Sequence, residues 1–180
     1  MDKNNTDNTN NKKDKKTEML EWIKAIIFAV ILAIFIRAFV FEMVQIQQSS
    51  MYPTLHSGDK CAVWKAGYIF DDPERGDIVI ANVPGGKRYV KRVIALEGET
   101  IEIIDSTVYV NDEILEENYL PDGLEYEDYP KTTIPEGTYF LMGDNRPTSI
   151  DSRSGHIGFI GEKDIIGRVF LRVSPMTWYN

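Results

Sequence analysis

The chain has one cysteine, Cys61, and two histidines, His56 and His156, in 180 residues. A lone thiol forms no intramolecular disulfide and builds no cysteine-rich metal site. Nothing around Cys61 marks the electropositive setting of a reactive thiol, so it reads as a small buried apolar residue. The two imidazoles make no ligand spacing, and neither a metal nor a cofactor is expected. Basic residues are scarce as well. Residues 42–180 hold 13 Lys and Arg against 23 Asp and Glu, a net charge of −10. Val93 to Pro130 contains 12 acidic residues and no Lys or Arg. Phosphate binding needs a basic face, which excludes nucleic acid as a partner; the acidic stretch reads as a solvated surface. There is no internal repeat, and only one apolar run reaches membrane length.

That run centres on Ala25 to Ile36, 12 residues without a polar side chain. Extended to Trp22 and Phe41 it reaches 20 residues, interrupted only by Lys24 and Arg37. About 20 mostly apolar residues span a bilayer, and basic side chains near the ends reach back to the interface. The run is apolar around its whole circumference, unlike an amphipathic core helix. No small-x-small site follows it, so it reads as an uncleaved signal anchor. Three regions follow: residues 1–21 as a disordered tail rich in Asn, Lys and Asp, 22–41 as a transmembrane anchor, and 42–180 as a folded domain. Lys12, Lys13, Lys15, Lys16 and Lys24 precede the apolar core, whereas the 20 residues after Phe41 hold only Lys60. The expectation is a single-pass protein of the cell membrane, with its N-terminus cytoplasmic and its folded domain extracytoplasmic.

Strand signals dominate that domain. Val44–Gln47, Asp77–Ala81, Arg88–Leu96, Gly137–Met142 and Ile165–Val173 are expected strands, and Thr100–Ile104 with Thr107–Val110 a hairpin joined by Asp105-Ser106. The predicted fold is mostly β, antiparallel and partly barrel-like, with one N-terminal transmembrane helix. Residues 111–135 are expected to form a long surface connection over the sheet.

Two residues stand out for chemistry. Ser50 precedes Met51-Tyr52-Pro53, where proline restricts the backbone around it. A serine hydroxyl is a poor nucleophile until a base takes its proton. His56 and His156 sit in loops outside any recognisable triad pattern. Lys91 lies in an alternating strand; buried there, its ammonium would be desolvated, its pKa would fall, and it could accept the Ser50 proton. The loop Met142–Arg153, dense in Gly, Asn, Asp and Ser, is suited to brace such a site.

Four segments occur in order: Ser50-Met51-Tyr52-Pro53-Thr54-Leu55, Arg75-Gly76-Asp77-Ile78-Val79, Tyr89-Val90-Lys91-Arg92-Val93, and Gly143-Asp144-Asn145-Arg146 with Ser149 and Asp151-Ser152-Arg153. Together they resemble the successive boxes of the type I signal peptidases, serine proteases of the Ser-Lys class, in a compact single-anchor bacterial form. The resemblance implies a membrane-anchored serine endopeptidase that removes N-terminal signal peptides from exported preproteins through an acyl-enzyme. It implies Ser50 as nucleophile, Lys91 as general base, Ser149 as the serine orienting that lysine, Asp151 and Arg153 as a supporting pair, and Met51 as the residue packed beside the nucleophile. Its substrates would carry small residues at the first and third positions before the cut, and the lipid bilayer would be its setting. One departure is Gln48, standing where some members have a serine whose hydroxyl helps hold the oxyanion. The rival expectations are a self-cleaving repressor-type Ser-Lys protease, which lacks an anchor, and a catalytically dead membrane-tethered binding module.

Overall fold

The computed structural model describes residues 7–69, 71–173 and 176–179. It divides into two units, residues 1–40 and 41–180. In the first, helix α1 runs from Asp7 to Phe39. Within it Thr17–Arg37, 21 residues of mean hydropathy 2.4, is long and apolar enough to cross a membrane. Its large apolar side chains are exposed, Trp22 at 71 % and Phe28 at 67 %. The helix starts inside the stretch expected to be disordered, residues 1–21, of which residues 1–6 lie outside the described ones. Once a helix is nucleated, each added residue gains a hydrogen bond at little further cost, so the apolar helix extends into polar sequence.

The second unit is built from antiparallel strands. In chain order these are β1 (Phe41–Gln45), β2 (Lys60–Trp64), β3 (Ile78–Val83), β4 (Lys87–Ala95), β5 (Thr100–Ile104), β6 (Thr107–Val110), β7 (Glu113–Ile114), β8 (Tyr129–Thr133), β9 (Thr138–Met142), β10 (Ile160–Gly161), β11 (Ile165–Val173) and β12 (Met176–Trp178). The larger sheet has the order β1-β2-β11-β3-β4-β9-β10, with β12 paired to β11; the smaller has the order β7-β6-β5-β8. The mostly-β expectation holds, but both sheets are open rather than closed into a barrel.

The local reasons are chemical. Asp105 (φ 48°) and Ser106 (φ 61°) both take the left-handed conformation of a two-residue hairpin turn, which short polar side chains tolerate. Strand β4 is exposed where it begins and buried from Lys91 to Ala95, where β3 and β9 flank it. Two apolar clusters lie along the larger sheet. One joins Ile46, Met51 and Leu55 to Val63 and Ile78; the other joins Val79, Ala81 and Val93 to Leu141. A third, with Ile101, Ile103, Val108 and Phe140, fills the space at the smaller sheet. Residues 111–135 are more structured than a surface connection: they contain β7 and β8, and Tyr126 and Tyr129 pack against the third cluster. Strand β2, not expected from sequence, is sandwiched between β1 and β11.

Candidate active site

Ser50 lies in the loop between β1 and β2. The loop is closed at its base by Ile46 N–H donating to Asp59 O and Gly58 N–H donating to Ile46 O, both at 2.8 Å. Met51 and Leu55 anchor it in the core at 1 % and 0 % exposure, so Ser50 sits one residue from a fixed point. The Ser50 carbonyl accepts from Asn145 N–H at 3.0 Å, and the Ser49 carbonyl from Asn145 Nδ2 at 3.2 Å. These two bonds tie the Ser50 loop to the loop that follows β9.

Lys91 comes from β4 and is 2 % exposed. Its Nζ lies 2.7 Å from Ser50 Oγ. Burial lowers its pKa from 10.5 to about 8; the carboxylates of Asp151 and Asp144 oppose the shift and Arg153 assists it. Desolvation dominates because an ammonium in apolar surroundings loses its hydration, and the strand supplies no carboxylate in direct contact to replace it. Near neutral pH a useful fraction of the amine is therefore uncharged and can accept a proton.

The 143–153 loop surrounds this pair with fixed charges. Asp151 is held by Arg153 through two bonds of 2.8 Å, and its Oδ2 accepts Gly143 N–H at 3.0 Å. Asp144 is held by Arg92 through Nε at 2.9 Å and Nη2 at 2.6 Å, and it also accepts the Thr54 hydroxyl. Paired guanidinium–carboxylate forks are directional and hold their partners in one geometry. Ser149 Oγ is buried with no hydrogen-bond partner. Such a group carries a penalty of about 1–3 kcal/mol, a cost found where a buried polar atom has a task.

Gly143 is the tightest point. A Cβ there would overlap Ser149 Oγ, Ser149 Cβ and the Ser50 carbonyl. Gly143→Ala is thus expected to push the two loops apart and lower kcat at least about a hundredfold, since small displacements of reacting groups have effects of that size. A turnover assay with an unfolding scan checks this. Activity near wild type would show that the loops tolerate the displacement.

Beside Ser50 opens a cleft of about 240 Å³, lined by residues 44–48 together with Met51, Ile80, Arg88 and Val90. Its wall includes Gln48 and its floor is apolar. Strand β1 forms one edge of the larger sheet, so among the described residues its outer side has no strand partner in that sheet.

The sequence-predicted residues Ser50, Lys91 and Met51, and the ion pair Asp151–Arg153, fall at this one place, with Gln48 on the cleft wall. The Ser149 side chain and the Ser50 carbonyl both crowd the Gly143 position. His56 is exposed and packs edge-on against Tyr52 at 5.2 Å, while His156 lines a separate cleft with Tyr126 and Tyr129. Neither imidazole bonds the Ser50 hydroxyl. Sequence reasoning missed Thr54, Arg92 and Asn145 as site residues. Arg92 adjoins Lys91 and Asn145 lies in the Gly-Asp-Asn-Arg string, but their partners are 52 to 96 positions away in the chain.

An open antiparallel β fold presenting a serine hydroxyl against a buried amine beside an open cleft has the parts of a serine peptidase. The family comparison is specific: the profile described as "Signal peptidase, peptidase S26" matches residues 19–174, and the chain belongs to that family. Signal peptidase I of Bacillus amyloliquefaciens is 45 % identical over 157 residues, 82 % of this chain and 81 % of that one. Signal peptidase I T of Bacillus subtilis is 42 % identical over 176 residues, covering 92 % and 91 %. A crystal structure of a signal peptidase I from Enterococcus faecalis matches with a TM-score of 0.47 and 35 % identity, covering 55 % of this chain and 97 % of that one.

Proposed function

We propose that this serine endopeptidase removes signal peptides from exported preproteins, with Ser50 as nucleophile and Lys91 as general base. The observation that carries the reading is the 2.7 Å contact between a desolvated amine and the Ser50 hydroxyl. Neutral Lys91 takes the Oγ proton as Oγ attacks the scissile carbonyl. The oxyanion forms beside the Ser50 N–H, with Gln48 on the cleft wall as a further donor; one such donor contributes about 3 kcal/mol. The lysine ammonium then protonates the departing amine, leaving an ester on Ser50. Water, deprotonated by the same amine, releases the signal peptide and restores the serine. In this reading the Asp151–Arg153 pair holds the loop, Met51 fixes the nucleophile's backbone, and the buried Ser149 hydroxyl, unbonded in the free protein, is the group available to orient the Lys91 amine during the reaction.

An extended peptide laid along the free edge of β1 would gain main-chain hydrogen bonds, and alternate side chains would face the cleft. At about 240 Å³ the cleft suits small side chains at the first and third positions before the cut. The lysines on the amino side of the Ala25–Ile36 apolar core favour a cytoplasmic N-terminus, an extracytoplasmic domain and a bilayer around residues 22–41.

The test is cleavage of a purified preprotein by the full chain in detergent micelles across pH 6 to 10. Because the reactive form is the neutral amine, kcat/KM is expected to rise about tenfold per pH unit below about 8 and level off above it. A rise centred near 6.5 would point to an imidazole and end the assignment. Leucine in place of alanine just before the cut should abolish cleavage; equal cutting of both substrates would refute the small-residue preference.

A further inference from the structure

We propose that Glu117 is a positioning residue for the Ser50–Lys91 pair, acting through Arg146 on the 143–149 loop. The inference rests on the assignment of Ser50 and Lys91 above. Glu117 belongs to the acidic connection between β7 and β8, a segment with no assigned role. Its side chain is only 10 % exposed and grips the Arg146 guanidinium through both carboxylate oxygens, Oε2 at 2.7 Å from Nη1 and Oε1 on Nη2. Arg146 is 1 % exposed, so its charge has no water to replace this partner. The Arg146 Nε donates to Gly143 O at 3.2 Å, and the Arg146 carbonyl accepts from Arg153 at 2.8 Å. Arg146 therefore braces both the glycine that separates Ser149 from Ser50 and the arginine that holds Asp151.

Two tyrosines of the same connection complete the clamp. Tyr119 donates its hydroxyl to Glu117 and stacks on Arg92, whose guanidinium carbon lies 3.8 Å from the ring centroid. The Tyr126 hydroxyl accepts from Arg146 Nη1 at 3.1 Å. The connection thus touches Arg92, which follows Lys91, and Arg146, and through the Tyr126 ring also Arg153, whose guanidinium carbon lies 5.5 Å from the ring centroid. None of its residues lines the cleft beside Ser50. Loosening the clamp should therefore change the alignment of amine and hydroxyl while leaving peptide binding intact.

The experiment compares Glu117→Gln, Arg146→Met, the double variant and Tyr119→Phe in the full chain in detergent, with rates normalised to folded protein by thermal unfolding. Glu117→Gln is expected to lower kcat about tenfold or more with KM within about twofold of wild type, and to displace the acid limb of kcat/KM. The double variant should be no worse than Arg146→Met alone, because the two side chains act as one unit. Tyr119→Phe keeps the ring on Arg92 and should give a smaller effect of the same kind, which decides the matter if the Glu117 variants fail to fold. A kcat, KM and pH profile equal to wild type per folded molecule in Glu117→Gln or Tyr119→Phe would overturn the inference. A Lys91→Ala control that stays active would instead refute the assignment of the pair, so the two failures are distinguishable.

Discussion

Ser50→Ala and Lys91→Ala should each lower kcat by about four orders of magnitude or more, while the double variant loses little beyond either one. The reason lies in the single contact between them. Without Lys91 the hydroxyl has no base; without Ser50 the amine has nothing to activate. Both variants should stay folded, since Met51, Leu55 and the β4 backbone are untouched. KM should change little, because the cleft is lined mainly by β1, the residues after it, and Val90. His56→Ala and His156→Ala serve as comparisons and should retain wild-type rates. Turnover of a preprotein, with folded protein counted by thermal unfolding, reads all of these. Substantial activity in Lys91→Ala combined with loss in either histidine variant would overturn the lysine assignment.

Lys91→Met should make the protein inactive and more stable. In the fold the amine titrates near 8 rather than 10.5, because burial penalises its charge. A group whose folded pKa is depressed in this sense destabilises the fold wherever the unfolded chain binds the proton more tightly. The full cost, about 3 kcal/mol, applies below pH 8, shrinks between 8 and 10.5, and is absent above. Methionine fills similar space without a charge and should remove that cost. At pH 6.5 the variant is expected to melt roughly 6–12 °C above the wild type, with the gap closing by pH 10.5. A gap that is absent at pH 6.5, or of one size at both pH values, would contradict a desolvated lysine.

Legibility from sequence followed the range of the interactions. The β5–β6 hairpin was readable to the residue, since two alternating runs flank Asp105-Ser106, a pair of short polar residues suited to the left-handed turn conformation. Strand β11 was likewise clear, a nine-residue stretch of mostly β-branched and large apolar residues broken by Gly167, Arg168 and Arg172. Strand β2 was not, because Lys60-Cys61-Ala62-Val63-Trp64 carries no alternation; its central residues are buried by neighbours on both sides. Strand β8 was masked by Pro130, and it survives as an edge strand paired only with β5. At the site, residue type and setting marked Ser50 and Lys91 as candidates, and their proposed roles came from the resemblance of the ordered motifs. The alternation around Lys91 suggested one buried face, whereas Arg92 is also buried, at 7 %, because Asp144 and Tyr119 cover it. Partners such as Arg92–Asp144 and Glu117–Arg146 depend on tertiary contact, and no local pattern announces them.

The position of β11 has a consequence for biosynthesis. Ser50 is delivered from beside β1 and β2, and Lys91 from β4, yet the strand that joins β2 to β3 is β11, which follows them all in the chain. A nascent chain halted before residue 165 has made both reactive side chains but lacks the seam between the sheet halves carrying them. The sheet that carries the Ser50 loop and Lys91 is therefore continuous only once residues 165–173 have been made.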